Sequence, residues 1–365
     1  MGRLERIKAI EHEMARTQKN KATEYHLGRL KAQLAILRNE IIREAALSKK
    51  GPGEGFDVVK TGDARVAMIG FPSVGKSTLL STLTPTQSLA AAYEFTTLTC
   101  IPGILKYNDC TIQLLDLPGI IEGAAGGKGR GRQVIAVARG SDMVLMVLDA
   151  SKVETQRKLL TKELWDVGIR LNKQKPDIKI RMKTGGGITL NATCELTKVG
   201  LPIVRDILNM HKIHNADVLF RGNYSIDDFI DIVTPNRKYL PCLYCVNKCD
   251  TISINQIDLY AHSKHTVVIS CRNKLNLDYM LSCLWEHLDF IRIFTKPKGK
   301  RPDFSEPIIL KRGSTVEDVC LRIHKDFVKK FKYALVWGRT VKHQPQRCGL
   351  KTVLSDEDVV ALYTK

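Results

Sequence analysis

GFPSVGKS, at residues 70–77, is the stretch that decides the fold of this chain. It fits the phosphate-binding loop GxxxxGK[ST] and lies between an apolar run and the start of a predicted helix. Glycines allow backbone N–H groups to converge on phosphate oxygens at a helix N-terminus. We expect Lys76 to reach the β- and γ-phosphates and Ser77 to bind Mg²⁺. The predicted nucleotide-binding residues of this stretch are Gly70, Pro72, Ser73, Val74, Gly75, Lys76, Ser77 and Thr78.

Five short apolar runs predict the sheet that carries this loop. They cover residues 65–69, 112–115, 143–148, 243–246 and 266–269, and helical stretches lie between them. Strands that alternate with helices form a mostly parallel sheet with helices on both faces. The sequence therefore predicts an α/β fold of the P-loop nucleotide-binding class.

DLPG, at residues 116–119, follows the second of these runs. Asp116 can hold Mg²⁺ and the Gly119 N–H can face a γ-phosphate. Alone the pattern is also an ordinary turn, but its place one strand after the phosphate loop favours binding. Thr97 offers a further hydroxyl, and a segment that orders around a γ-phosphate is the basis of a switch. We predict Ser77, Thr97 and Asp116 as metal ligands, and Lys76, Thr97 and Gly119 as catalytic residues.

NKCD, at residues 247–250, predicts which base is bound. The Asp250 carboxylate can accept from both N1–H and the N2 amine of guanine, whereas adenine would leave this acceptor unpaired, at a high cost. The Lys248 stem can cover the base, and Asn247 can tie the loops together. We expect the backbone N–H groups of Ser270 and Cys271 at guanine O6. GTP and GDP, with Mg²⁺, are the predicted ligands.

Ile120 and Ile121 follow DLPG, where many GTPases place a water-orienting Gln. Neither side chain can orient water, so we expect slow intrinsic hydrolysis that needs a partner, a cation or a rearrangement. Such help can raise the rate of hydrolysis about 10³- to 10⁵-fold. The basic stretch GGKGRGR at 126–132 either contacts the nucleotide or a polyanion, or forms a solvated loop.

Composition narrows the class of partner. The formal charge is +19, from 57 Lys and Arg against 38 Asp and Glu, which favours nucleic acid first and a membrane surface second. No apolar run is long enough to span a bilayer, and we see no signal peptide. A cytoplasmic protein with reduced cysteines is expected. Cys242 and Cys245 lie in an apolar run, which favours a buried strand over a zinc site.

Changes in composition and apolar pattern along the chain predict five segments. They are an N-terminal helical hairpin (1–50), the first part of a GTPase domain (51–167), an inserted domain (168–234), the second part of the GTPase domain (235–290) and a C-terminal α+β domain (291–365). The hairpin is either a docking arm or packs on its own chain.

Within the last segment the pattern predicts strands at 307–310, 333–337 and 359–363. It also predicts one helix over 316–331, capped by Ser314 or Thr315.

Several long strings resemble one family, the developmentally regulated GTP-binding proteins, which are eukaryotic Obg-related GTPases. They include ARTQKNKAT at 15–23, GEGFD at 53–57 and FKYALVWG at 331–338, and the likeness runs nearly end to end. Others, such as TEYH at 23–26 and RPDF at 301–304, are closer to the second of the two eukaryotic paralogues.

The resemblance implies an insert similar to a domain of a small-subunit ribosomal protein and a C-terminal β-grasp domain of the TGS type. It also implies action on translating ribosomes, through rRNA or tRNA, with a DRG family regulatory protein as partner, either as a monomer or as a heterodimer with that partner. Neither DNA nor a membrane is expected as a partner. Ser73 stands where many potassium-stimulated GTPases carry Asn, so K⁺ is left open as a cofactor. A slow GTPase switch is the expected function; an RNA- or ribosome-binding adaptor with a structural nucleotide is the alternative.

Overall fold

The computed structural model of this chain describes residues 3–18, 20, 23–47, 62–84, 101–117, 137–235 and 237–364. Contacts group the chain into two units. One contains residues 1–58, 120–140 and 154–240, and the other contains residues 59–119, 141–153 and 241–365. Among the described residues, no helix is both long and apolar enough to cross a membrane.

A six-stranded sheet forms the centre of the second unit. Its strands are β1 (Ala64–Ile69), β2 (Ile101–Tyr107), β3 (Cys110–Asp116), β4 (Met143–Asp149), β10 (Cys242–Asn247) and β11 (Thr266–Val268), in the order β11-β10-β4-β1-β3-β2. The five predicted runs are all present and all parallel, which confirms the α/β prediction. Their residues are buried along almost their whole length, as expected for a parallel sheet covered on both faces.

Strand β2 was not predicted, and it pairs antiparallel with β3 at the edge of the sheet. The hairpin between them turns at Asn108 and Asp109, whose φ angles are 49° and 59°. Two successive positive φ angles are the geometry of a tight hairpin turn, and Asn and Asp tolerate it. The helices of this part of the chain are α3 (Lys76–Leu83), α7 (Ile254–Ala261) and α8 (Leu277–Leu288).

The N-terminal hairpin is confirmed as α1 (Arg3–Arg16) and α2 (Glu24–Leu47). Helix α2 packs on its own chain, because Ala32 and Ala35 belong to the core of the inserted segment. Gly28 makes the approach close: a Cβ there would lie 2.4 Å from Ile203 Cδ1. Of the two alternatives for the hairpin, the structure shows packing within the chain.

Between α4 (Val153–Val167) and strand β10 lies a small α+β segment. Its strands β6 (Ile178–Met182), β7 (Ile188–Ala192) and β8 (Ala216–Phe220) form a sheet in the order β6-β8-β7, and α5 (Leu201–Met210) and α6 (Ile226–Val233) supply its core. Strands β5 (Ile169–Leu171) and β9 (Lys238–Leu240) flank the segment and pair in parallel. The two ends of the inserted segment therefore lie side by side.

The C-terminal residues form a five-stranded sheet with helices on one face. The strands are β12 (Phe290–Thr295), β13 (Asp303–Lys311), β14 (Phe331–Trp337), β15 (Gln346–Cys348) and β16 (Asp358–Thr364), in the order β13-β12-β16-β14-β15. The three strands predicted here are present, and β12 and β15 were missed.

The single helix predicted over 316–331 is wrong. The structure has α9 (Val316–Ile323) and α10 (Lys325–Lys329), separated by His324. His324 is extended, with φ −167° and ψ 141°, and its side chain accepts a hydrogen bond from the Asp326 N–H in the first turn of the second helix. Thr315 caps α9 in a capping box with Asp318, as one of the two predicted caps.

Apolar packing joins this sheet to the nucleotide-binding sheet. Phe290 and Ile309 are buried in the core of the six-stranded sheet. An ion pair accompanies them, with Arg322 Nη2 2.8 Å from Asp63 Oδ1, although the arginine side chain is 54% exposed. Exposed pairs contribute about 0–1 kcal/mol, whereas each buried large apolar side chain contributes about 1.5–3 kcal/mol. Apolar burial therefore dominates this junction.

Candidate functional site

The phosphate-binding loop joins β1 to α3. Its turn is tight: Gly75, just before the helix, has φ 97°, and Ser73 has φ 63°. Gly70 lies against β4, since a Cβ there would be 2.4 Å from the Val147 carbonyl oxygen. Glycine meets both requirements without a steric penalty. Pro72, Ser73, Ser77 and Thr78 are exposed, whereas the Val74 side chain is buried.

Lys76 lies across the loop that it follows. Its Nζ donates to the carbonyl oxygens of Gly70 and Phe71, each at 3.0 Å. The residue is only 8% exposed, and burial lowers the pKa of its ammonium group, opposed by the nearby Asp116 carboxylate. The cation is thus held at the centre of the loop, where the sequence predicts phosphate.

Ser77 and Asp116 meet although 39 residues separate them in sequence. The Ser77 hydroxyl donates to Asp116 Oδ2 at 2.7 Å. The other carboxylate oxygen, Oδ1, is buried and has no hydrogen-bond partner among the described residues. A buried carboxylate oxygen without a partner is costly, and hard oxygen donors of this kind are the ligands that Mg²⁺ prefers. These two residues therefore fit a magnesium ion.

Asn247 connects three loops at the carboxyl ends of the strands. Its Nδ2 donates to the Val74 carbonyl oxygen at 2.8 Å, within the phosphate loop. Its Oδ1 accepts from the backbone N–H of Lys248 at 2.8 Å and from that of Cys271 at 3.0 Å. The side chain is buried, at 3% exposure. The prediction that Asn247 ties the loops together agrees with this arrangement.

Lys248 turns sharply after β10, with φ 68°. Its Nζ lies 2.6 Å from Asp149 Oδ2, at the end of the neighbouring strand β4. Ser151 donates to the other Asp149 oxygen through both its N–H and its hydroxyl, at 3.0 and 2.6 Å. Burial acts to raise the pKa of Asp149, but the bonds from Lys248 and Ser151 outweigh it and lower the pKa to about 2. The carboxylate is therefore a fixed anchor for the lysine.

Asp250 is exposed at the same edge of the sheet, and Ser270 orients it. The Ser270 hydroxyl, which is buried, donates to Asp250 Oδ1 at 2.6 Å. This hydrogen bond is the main cause of the lowered pKa of Asp250. The aspartate is thus ionised at neutral pH and available as an acceptor.

The predicted role of the 270–271 backbone differs from the hydrogen bonding found there. The Ser270 N–H donates to the Leu275 carbonyl oxygen at 3.3 Å, and the Cys271 N–H donates to Asn247. Both groups have protein acceptors, so their contact with guanine O6 stays a prediction.

Thr97 and Gly119, predicted to approach the γ-phosphate, lie outside the described residues. Sequence reasoning missed Asp149 and Ser151 as parts of the site. A signal was available: an acidic residue at the carboxyl end of a strand beside the phosphate loop is placed by the topology at the same edge of the sheet.

Profiles of known families match most of the chain. The family of 50S ribosome-binding GTPases matches residues 65–181, and a profile for the C-terminal region of that GTPase domain matches residues 185–290. The TGS domain matches residues 291–364. The predicted P-loop GTPase domain and TGS domain are confirmed.

Full-length relatives are similar along the entire chain. Developmentally-regulated GTP-binding protein 2 of Homo sapiens is 59% identical over 365 residues, covering 100% of both chains. Developmentally-regulated G-protein 1 of Arabidopsis thaliana is 57% identical over 368 residues, covering 100% of this chain and 92% of its own. Developmentally-regulated GTP-binding protein 1 of Xenopus laevis is 54% identical over 365 residues, covering 100% of both. More than half of all positions are thus shared over the full length, and the chain belongs to the developmentally regulated GTP-binding proteins, a family of GTPases.

Proposed function

We propose that this protein binds GTP with Mg²⁺, hydrolyses it slowly to GDP and phosphate, and acts as a nucleotide-dependent switch on ribosomes in the cytoplasm. The observation that carries the proposal is the hydrogen bond from the Asn247 side chain to the Val74 carbonyl oxygen. It fixes the loop that bears Asp250 to the phosphate loop through Val74. A guanine held by Asp250 would thereby place its phosphates against Lys76.

Base selection rests on an oriented carboxylate. Ser270 uses one oxygen of Asp250, and the exposed carboxylate can still accept from the N1–H and N2 groups of guanine. Adenine lacks that pair of donors and would leave the acceptor unpaired. Lys248, anchored by Asp149, supplies an aliphatic stem that can cover the base.

The phosphate end supplies positive charge. Ser77 and Asp116 would hold Mg²⁺, with Thr97 as a further ligand, and the ion would supply positive charge against the charge that develops on the phosphates. Lys76 exchanges its two carbonyl acceptors for phosphate oxygens and stabilises the same charge. Water attacks the γ-phosphorus and GDP leaves. Ile120 and Ile121 cannot orient that water, which is the reason to expect a slow intrinsic rate.

The proposal includes action on ribosomes together with a regulatory partner protein. The support is the description of the matched family as ribosome-binding GTPases, over residues 65–181, together with the net charge of +19. A DRG family regulatory protein as partner, a monomeric or heterodimeric state and K⁺ as a further cofactor belong to the same proposal, as do the segment boundaries given above.

The test is steady-state GTP hydrolysis by the purified protein in potassium buffer, with and without salt-washed ribosomes. We expect a large rise with ribosomes that Lys76→Ala abolishes. Lys158→Ala, the same change on an exposed helix position outside the site, serves as the matched control and should behave as wild type. A rate that ribosomes leave unchanged would contradict the ribosome switch, and normal hydrolysis by Lys76→Ala would contradict the site.

A second function is favoured by the excess of Lys and Arg over acidic residues in residues 291–364. In this reading the protein is an RNA- or ribosome-binding adaptor, and its nucleotide is structural. Affinity for ribosomes would then fall steeply with salt and would be equal in the GTP and GDP states. A difference between the two states at fixed salt would exclude the adaptor.

A further inference from the structure

A cleft of about 550 Å³ lies against the helical hairpin, within one of the two units of the chain. Residues from α1, α2, α4 and α6 line it, together with Arg170 on β5 and Arg237 just before β9. Its volume falls in the range of small-molecule sites, about 300–1,000 Å³. None of the described residues that line it belongs to the nucleotide site, so the cleft is a separate feature of the protein.

The buried charges in the wall of this cleft are unequal in number. Arg170 donates to both carboxylate oxygens of Asp231, from Nε at 2.5 Å and from Nη2 at 2.6 Å. Arg237 approaches the same carboxylate, with its Nε 3.2 Å from Oδ1. The side chains of Arg170 and Asp231 are each 4% exposed and that of Arg237 is 10% exposed. One buried carboxylate therefore faces two buried guanidinium groups, whereas buried charges normally occur in pairs.

Arg237 is the guanidinium group that lacks a full partner. Its Nε is buried and makes no hydrogen bond within the described residues, although Asp231 Oδ1 is nearby. Burial and the positive charge of Arg170 lower the pKa of Arg237 to about 10, and the Asp231 carboxylate offsets this only in part. A guanidinium group normally has a pKa of about 12.5 or above. The group is thus still charged at neutral pH, in surroundings with too little negative charge.

Other polar atoms without partners are concentrated in the same part of the chain. Among the described residues, five buried side-chain polar atoms make no hydrogen bond, and one of them is Asp116 Oδ1 at the proposed magnesium site. The other four belong to His211, Thr234, Arg237 and Tyr239. Burial lowers the pKa of His211, and the charge of Arg237 lowers it further. Since buried polar atoms are normally hydrogen-bonded, this cluster calls for an occupant.

The chemistry of these groups favours an oxyanion as that occupant. The Arg237 Nε–H can only donate, and the hydroxyl groups of Thr234 and Tyr239 can donate as well. Guanidinium groups bind phosphate oxygens through strong, charge-assisted hydrogen bonds. A water molecule would fill space without supplying negative charge. A phosphate group supplies both the acceptors and the charge.

We propose that this cleft is a second ligand site, which binds the phosphate group of a small phosphomonoester at Arg237. The negative charge of the phosphate balances the second guanidinium group. The cleft is far larger than a phosphate group, which leaves room for an organic part beside the apolar side chains of Met14 and Leu34. Glu11 and Asp227 also line the cleft, and their carboxylates can accept from hydroxyl groups. A sugar phosphate is therefore the class of ligand that fits.

The test is isothermal titration calorimetry on the full chain saturated with GDP and Mg²⁺, so that the phosphate loop is already occupied. The probes are ribose 5-phosphate, inorganic phosphate and ribose. We expect ribose 5-phosphate to bind with a Kd of about 1 mM or below, the usual range for metabolites, and ribose to give no binding. Inorganic phosphate that binds as tightly as the sugar phosphate would identify the free ion as the ligand of the same site.

Substitution of Arg237 locates the binding. Arg237→Met removes the guanidinium group, keeps an apolar stem and leaves the pair of Arg170 with Asp231 in place. Affinity for ribose 5-phosphate should fall about 10- to 150-fold, the value of one hydrogen bond to a charged group. Arg237→Lys keeps the charge and should bind with intermediate affinity, which provides a second variant if the first does not fold. Arg205→Met, at an exposed position on α5, is the matched control and should bind as wild type.

Three results would overturn the proposal. If neither phosphate probe gives heat or raises the Tm of the wild type, water or another part of the chain fills the cleft. If Arg237→Met binds ribose 5-phosphate as tightly as wild type, the phosphate is bound elsewhere. If Lys76→Ala abolishes this binding and Arg237→Met does not, the phosphate loop is the site, which refutes the second site and leaves the GTPase proposal intact.

Discussion

Gly75 and Asn247 should be coupled, because the structure leaves no room for a side chain between them. Gly75 has φ 97°, and a Cβ at this position would lie 2.3 Å from Asn247 Nδ2. In Gly75→Ala the left-handed backbone costs about 1–2 kcal/mol. Displacing the Asn247 amide from the Val74 carbonyl costs about 0.5–1.5 kcal/mol more. The sum is a loss of about 1.5–3.5 kcal/mol in the free energy of unfolding.

Asn247→Ala removes three hydrogen bonds, to Val74, Lys248 and Cys271. At about 0.5–1.5 kcal/mol each, it should cost about 1.5–4.5 kcal/mol. In the double variant the steric conflict is absent, because the shortened side chain no longer reaches residue 75. The bond to Val74 is also lost only once. The double variant should therefore be about 0.5–1.5 kcal/mol more stable than the sum of the single losses.

The assay is thermal unfolding of wild type, both single variants and the double variant, with GDP affinity measured in parallel. About 1 kcal/mol corresponds to about 2–4 °C in Tm for a folded unit of 150–250 residues. Gly185→Ala is the control for the added methyl group, since nothing lies within 4 Å of a Cβ there, and it should leave Tm unchanged. Strictly additive losses in the double variant would refute the predicted contact between the two loops.

Three further changes test the chemistry of the site. Asp250→Asn should shift preference from GTP towards XTP, and unaltered selectivity in a competition assay would refute the role of the carboxylate. Ser73→Asn should raise hydrolysis in K⁺ relative to Na⁺; the φ of 63° at this position is one that Asn tolerates, and equal rates in the two salts would remove the idea. Lys248→Met should lower Tm above about pH 4, where Asp149 with its depressed pKa contributes stability. The difference from wild type should narrow as pH falls towards the folded pKa of about 2; a constant difference in an acid titration would contradict the anchor.

The sequence predicted those parts of the fold that local patterns specify. The five parallel strands are short, mostly apolar runs, as a strand buried on both faces requires, although Arg65 and Gln113 lie within two of them. The edge strand β2 was missed because it is defined by pairing with β3 through the turn at Asn108 and Asp109. The helix over 316–331 was predicted as continuous because its apolar residues recur at helical spacing throughout. The break depends on His324 capping the next helix, which periodicity does not reveal.

The site was predictable to the extent that its motifs are contiguous in sequence. The phosphate loop, Asp116 and Asn247–Asp250 each carry a recognisable spacing. Contacts between motifs were not predictable in this way. The pairing of Lys248 with Asp149 and the hydroxyl of Ser270 on Asp250 arise from strand ends brought together by the sheet. Such contacts depend on strand order, and β4 lies between β1 and β10 only in the folded sheet.

The switch and adaptor hypotheses depend on different parts of the protein. Apolar burial of Phe290 and Ile309 joins the C-terminal sheet to the core, and the pairing of Arg322 with Asp63 adds little because the arginine is exposed. Among the described residues, no contact of that junction involves the phosphate loop, so the adaptor hypothesis predicts equal ribosome affinity in the GTP and GDP states.

A nucleotide-dependent response must instead come from groups that contact the γ-phosphate, which by sequence are Thr97 and Gly119. The switch hypothesis therefore predicts that ribosome affinity differs between the GTP and GDP states at fixed salt. Equal ribosome affinity in both nucleotide states would contradict the switch and leave the adaptor.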